Sequence, residues 1–315
     1  MAVYRPLTNA ESERVGVAAL ASGRIVDVEG AGTVQTMDLA PNRTGPLVIS
    51  EVYAPATLNA ELQYNFHMFF ELYNNSDRPV FLDGLTFGIV QLPDIAAPVA
   101  SCDESARFRK DPDGVWAEFL HRFPGSGGQY PLAPGDAVVV ALDAIDHSVV
   151  DPRLPDLSNA DFELLGFGDV DNPDVPNAVE VGLRSWFHGH GLLFYVSHSL
   201  FIANEVDPAS LERAVWSLSS GDLTLIKIPA ADLIDVMWTE RDDALQDQRY
   251  ERCDGVVHKN FDQLGGGYLP GGGNLSLSAQ RIRLPGRAGA AGGLQDTNVS
   301  AVDLVGAPIT PGAIR

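Results

Sequence analysis

Short apolar runs, rich in β-branched and aromatic residues and each closed by proline, glycine or asparagine, recur along this chain and constrain its fold more than any other feature. Leu47-Val48-Ile49-Ser50-Glu51-Val52-Tyr53 lies between Pro46 and Pro55 and reads as a buried strand. His67-Met68-Phe69-Phe70-Glu71-Leu72-Tyr73 alternates, with Met68, Phe70 and Leu72 on one face and Phe69, Glu71 and Tyr73 on the other. Asn74 to Pro79 supplies side chains that bond their own backbone in turns. Val80 to Val90 is then expected to return as the third strand of a meander, kinked at Gly84. Ala137 to Asp143 has no polar residue before its end, as in a strand covered on both faces. Further strands are expected at Arg24 to Val28, Thr33 to Leu39, Leu192 to Val196, Leu223 to Ile228 and Leu275 to Leu284. Helical periods are brief: one turn after Asp207, where Pro208 suits a first-turn position, and one over Ala231 to Val236. Residues 91–135 read as an excursion from the core and residues 151–191 as a long surface segment, so the chain is expected to be mostly β.

At 315 residues the chain can bury a sizeable core. Residues 1–45 read as lead-in strands or the remnant of a preceding module, and residues 46–315 as one elaborated domain. The 42 acidic against 21 basic residues give a net charge of −21, which repels a phosphate backbone. The densest basic stretch, Arg107, Arg109 and Lys110, is ringed by Asp103, Glu104, Asp111 and Asp113, so nucleic acid is not expected as a partner. No apolar stretch approaches the roughly 18 residues of a membrane-spanning helix. Cys102 and Cys253 either close one long disulfide loop or remain two thiols, and spacing leaves both open. The first residues, Met-Ala-Val-Tyr-Arg-Pro, lack the basic and apolar regions of a secretory signal, which taken alone points to the cytoplasm.

Several motifs carry a resemblance. Ile49-Ser50-Glu51-Val52-Tyr53, Phe70-Glu71-Leu72-Tyr73-Asn74-Asn75-Ser76-Asp77 and Val80-Phe81-Leu82-Asp83-Gly84 resemble the opening of bacterial lamin-tail domains. Tyr130 to Asp136, Asp143-Ala144-Ile145-Asp146-His147, Asp156 to Glu163 (with Asn159 and Asp161), Asp169 to Asn177 and Leu294-Gln295-Asp296-Thr297-Asn298 resemble an uncharacterised bacterial cell-envelope family, domain of unknown function 4876, related to those domains. The resemblance covers residues 47 to the C-terminus. It implies an immunoglobulin-like (lamin-tail-like) β-sandwich elaborated by long loops and a few short helices. It also implies an extracytoplasmic, secreted or surface-displayed and often lipid-anchored protein. On that reading Glu51, Glu71, Asn74, Asp83, Asp146, His147, Asn159, Asp161, Asp296 and Asn298 are structural motif residues, and no catalytic residue carries over. The partner is expected to be a cell-surface protein, a glycan or a nutrient ligand, with an outer-membrane transporter as a possible associate.

Three clusters offer chemistry of their own. In extended chain, His188 and His190 share a face and suit a divalent metal such as zinc, the constellation of a metal-dependent hydrolase. Asp169, Asp171, Asn172 and Asp174 are hard oxygen donors suited to calcium, although Pro173 and the missing downstream Gly and Glu depart from a calcium-binding loop. Asp143, Asp146 and His147 with Asp161 and Glu163 resemble a base with its orienting acid, but no nucleophile elbow accompanies them. Glu51 and Glu71, on neighbouring expected strands, could pair as glycosidase acids do. A non-catalytic binding or structural module is the expected function.

Overall fold

The computed structural model describes residues 2–6, 19–23, 40–42, 46–54, 66–90, 106–166, 170–182, 199–218, 221–241, 257–262, 267–269, 275–284 and 293–313. Strands make up 44% of the chain and helices 6%, so the mostly β expectation holds. Strands β1 (Ala2–Pro6), β2 (Ala19–Gly23) and β3 (Ala40–Asn42) form an antiparallel sheet of their own. They are followed by β4 (Leu47–Tyr53), β5 (Phe69–Asn74), β6 (Val80–Phe81), β7 (Thr86–Val90), β8 (Gly114–Arg122), β9 (Pro131–Leu132) and β10 (Ala137–Ala141). Then come β11 (Phe162–Glu163), β12 (Val179–Glu180), β13 (Ser199–Ala203), β14 (Arg213–Leu218), β15 (Gly221–Pro229), β16 (Leu233–Arg241), β17 (Gly267–Leu269), β18 (Leu277–Arg281) and β19 (Leu304–Pro308).

Two large sheets face each other as a β-sandwich. The first runs β11-β10-β5-β4-β18-β19. The second runs β14-β15-β8-β7-β13-β16-β17, with β12 beside β8, and curls into a half-barrel. The inward residues follow the period of two: Leu47, Ile49 and Val52 on β4, Phe70 and Leu72 on β5, and Val138 and Val140 on β10. They meet Phe87 and Ile89 of β7, Leu200 and Ile202 of β13 and Met237 of β16. The outward residues are also buried. Val115, Ala117, Phe201, Ala203, Val236 and Trp238 form a second core on the far face of the curled sheet, under Val257 and Phe261. Tyr53, Phe69, Val139 and Ala141 form a third beneath the loop residues Leu157, Ala160 and Val175. Strands covered on both faces lose the polar alternation that betrays a half-exposed strand.

That double covering explains where the structure departs from the sequence reading. Residues 231–236, expected to be helical, lie in the β16 region, because Ile234 and Met237 pack into the first core and Leu233, Val236 and Trp238 into the second. Of residues 91–135, expected as an excursion, the described part from 106 onward includes β8, paired to both β7 and β15 near the middle of the curled sheet. Val80 to Val90 is not one kinked strand. Gly84, at φ 76°, and the Leu85 N to Leu82 O bond close a turn there, and β6 and β7 depart into different sheets. The chain therefore crosses between sheets where a meander was expected. After Asp207 there is only a turn, closed by Ser210 N to Asp207 O. The strands expected at 24–28, 33–39 and 192–196 lie outside the described residues, and β13 was not expected.

Candidate functional site

Glu51 and Glu71 stand directly opposite one another in the β4/β5 register, after a β-bulge between Ile49 and Glu51. Both point away from the sandwich core, yet only 2% and 1% of their surface is exposed. The C-terminal segment covers them. Glu51 accepts from Ser278 Oγ (2.6 Å), Thr310 N (3.1 Å) and Thr310 Oγ1 (3.0 Å), and Glu71 accepts from Gly312 N (2.6 Å). Burial, reinforced by the adjacent Glu51 charge, pushes Glu71 up to about 8. Burial raises Glu51 as well, against its hydrogen bonds. The pair borders a cavity of about 20 Å³ lined by Ser50, Gln280, Arg281, Leu294, Thr310 and Ala313. That is room for about one water. A sugar ring between these carboxyls, as a glycosidase requires, does not fit.

The bulge that turns Glu51 outward also frees backbone groups, and these seat an ionic pillar between the sheets. Ile49 N donates to Asp235 Oδ2 of β16 (2.7 Å), and Ile49 O accepts from Arg281 Nε of β18 (2.7 Å). Arg281 Nη2 grips both oxygens of Asp235 at 2.9 and 2.8 Å, while Nη1 reaches Asp296 at 3.3 Å and Asp303 at 3.5 Å. Asp303 further accepts from Thr297 N and Oγ1 (2.8 Å each) and Gln295 Nε2 (3.1 Å). Asp296 accepts weakly from Asn298 N (3.4 Å), where Asn298 takes a left-handed turn at φ 54°. Three carboxyls around one guanidinium leave an excess of buried acid, and burial raises both Asp296 and Asp303. Nearby Asp262 accepts from Trp238 N (3.0 Å), Ser300 N (2.9 Å) and Ser300 Oγ, and burial pushes it up to about 7.

The remaining motif residues fasten loops. Asn74 donates to Arg78 O and Leu132 O, and Asn75 ties the motif after β5 to Leu294. Asp83 accepts from the backbone of Gly127 (3.1 Å), Gln129 (2.8 Å) and Tyr130 (2.9 Å), which gathers the glycine-rich loop and holds Asp83 well below the usual carboxylate range. Asp146 caps the short turn His147–Val149 through Ser148 N (3.0 Å) and Oγ (2.6 Å). His147 is buried and its Nε2 donates to Asp143 O (2.9 Å). Asp161 accepts from Val139 N, and exposed Asn159 makes only a long contact with Ser158 Oγ at 3.4 Å. Glu163 accepts from Ala144 N and Asn172 N (3.1 Å each). Asp143, Asp146, His147, Asp161 and Glu163 thus lie in one region, but the side chains of Asp146, His147, Asp161 and Glu163 are each bonded to backbone or a neighbouring hydroxyl.

Of the candidate calcium ligands, Asn172 donates to Ala144 O and Ser158 O, Asp171 accepts from Asn177 Nδ2 (2.9 Å), and Asp174 is exposed. Among the described residues, no group of three or more His, Cys, Asp or Glu is arranged to hold a metal. Asp169, His188, His190, Cys102 and Cys253 lie outside the described residues. Residues that the sequence did not single out include Arg281, Asp235, Asp303, Asp262, Thr310, His67 and His121. His67 and His121 are buried, and burial holds each near 4. A signal was present for Asp235, a lone acid inside an apolar run. Arg281 and Thr310 sit in unremarkable sequence.

No protein-family model matches the chain, and no curated protein matches it. Among solved structures, it is similar to a DUF4876 family protein from Bacteroides thetaiotaomicron, with a TM-score of 0.62 and 19% identity, over 91% of this chain and 77% of that one. At that identity the likeness is one of fold: the chain has the fold of a DUF4876 family protein, the family its motifs resemble.

Proposed function

We propose that the chain is a non-catalytic DUF4876 member, kin to lamin-tail domains, acting outside the cytoplasm as a surface module. It binds a protein, glycan or nutrient ligand, or builds envelope structure. One observation carries the non-catalytic part: Glu51, Glu71, Asp161, Glu163 and His147, which would serve acid–base chemistry, are occupied in fastening strands and loops. Glu51 and Glu71, the best-paired carboxyls, face room for about one water. The motifs from Leu47 onward support the family and the location, and the net charge of −21 supports a solvated, non-nucleic-acid-binding surface.

Elemental analysis of the purified protein is expected to find neither zinc nor calcium in stoichiometric amount. Stoichiometric zinc that disappears on His190→Ala would replace this reading with a metal-dependent hydrolase. A melting temperature that rises with calcium and falls with chelator would replace it with a calcium-stabilised structural protein. For location, protease shaving of intact cells is expected to degrade the protein, and its recovery intact in the soluble cytosol would overturn surface display. Co-purification with an outer-membrane transporter would select nutrient capture among the binding roles.

A further inference from the structure

The last described residues, 309–313, cross the outer face of the six-stranded sheet. Ile309 is anchored by its N–H on Ser276 O (3.2 Å) and by packing with the third core. Beyond it the ties change character. Thr310 N and Oγ1 donate to Glu51, and Gly312 N donates to Glu71. Gln280 Nε2 adds bonds to Pro308 O (2.8 Å) and Thr310 Oγ1 (3.2 Å). Gly312 sits at φ 73°, a left-handed conformation that turns its N–H inward, while Gly312 and Ala313 themselves are exposed. The end of the strap is therefore held to the protein chiefly by two buried carboxyls.

Among the described residues, those carboxyls have no cation of their own. Arg281 borders the same cavity from β18, but its guanidinium is engaged by Asp235, Asp296 and Asp303. Asp161, beyond β10, adds a further negative charge. Tyr53 and Tyr73, the next outward residues of β4 and β5, contribute phenols, and the strap through Ala313 brings only Thr310 Oγ1 and backbone amides. Two like charges opposite one another at this depth are disfavoured, so the pair retains one proton.

We propose that Thr310–Ala313 is a base-released latch, closed while Glu51 and Glu71 share one proton and opened when that proton leaves to solvent. The second charge is then stabilised only by water admitted beneath the strap, whereas Ile309 stays packed. Because burial and Glu51 hold Glu71 near 8 while the latch is closed, opening grows as pH rises towards that value. Amide-exchange protection of Thr310 and Gly312, corrected for the intrinsic base-catalysed rate, measures the opening. In the wild type it is expected to fall by up to about tenfold per pH unit from above the ordinary carboxylate range to about pH 8 and to level off beyond it, as linkage to one proton requires. The carboxyl carbon resonance of Glu71 should titrate at the pH where that fall levels off. In Glu71→Gln, which keeps an acceptor for Gly312 N and no titrating proton, protection should stay flat. Flat wild-type protection, an equal fall in Glu71→Gln, or a Glu71 titration near the ordinary carboxylate value would each overturn the latch. If Glu71→Gln does not fold, the two wild-type measurements decide: a fall in protection that ends at the Glu71 titration supports the latch, and one that ends elsewhere sinks it.

Discussion

Arg281 is the residue on which the two sheets depend most. Its guanidinium meets acids from β16 and from the segment before β19, and its Nε closes a carbonyl freed by the β4 bulge. Replacing it with alanine leaves Asp235, Asp296 and Asp303 buried without a cation. The expected loss is about 3–5 kcal/mol, the usual range for breaking a buried ion pair from one side. Urea unfolding of Arg281→Ala at neutral pH checks this, and an unchanged midpoint would show that the pillar is dispensable. Gly312 makes a smaller, backbone argument. An alanine Cβ there would meet only Val139 Cγ2 at 3.8 Å, so space is not limiting. The left-handed φ is, and Gly312→Ala is expected to cost about 1–2 kcal/mol locally, read as lost exchange protection in the strap. Neither residue was visible beforehand, because a buried arginine and an exposed C-terminal glycine look ordinary in sequence.

At the scale of elements, one side chain can order a whole loop. Asp83 sits on the turn between β6 and β7, and its carboxylate gathers the amides of Gly127, Gln129 and Tyr130. Asp83→Ala is expected to remove exchange protection from those amides while the global urea midpoint stays in place, since residues 125–129 are exposed and only Tyr130 packs against the core. Loss of global stability instead would mean that the loop supports β9 and the six-stranded sheet. The same scale explains which strands could be read from sequence. Residues 47–53 and 69–74 stood out because turns bracket them and their outward faces carry Glu51 and Glu71. β16 did not, because Leu233 to Trp238 serves two cores at once and its single acid, Asp235, is consumed by Arg281.

For the whole molecule, buried acids and buried histidines set a pH dependence with opposite signs. Glu71 near 8 and Asp262 near 7 bind protons in the folded protein that the unfolded chain has lost, so their contribution to stability is lost as pH rises through those values. His67 and His121, held near 4, lose stability as pH falls below about 6.5, where the unfolded histidines take up protons. Between about pH 4.5 and 6.5 the two sets oppose one another. Above about pH 6.5 the acids act alone, and stability is expected to fall by about 2–3 kcal/mol by about pH 8.5. Denaturant unfolding across that interval measures it, and a rising or level profile would contradict the buried protonated acids. By itself the sequence determined the mostly β class, the acidic surface, and the motif strands and turns, because alternation, β-branching and turn chemistry are local properties. Only the tertiary structure decided that both sheets would be buried on both faces, that Arg281 would join them, and that Thr310 and Gly312 would lie on Glu51 and Glu71. Those contacts join residues more than two hundred positions apart, and no local pattern records a partner that distant.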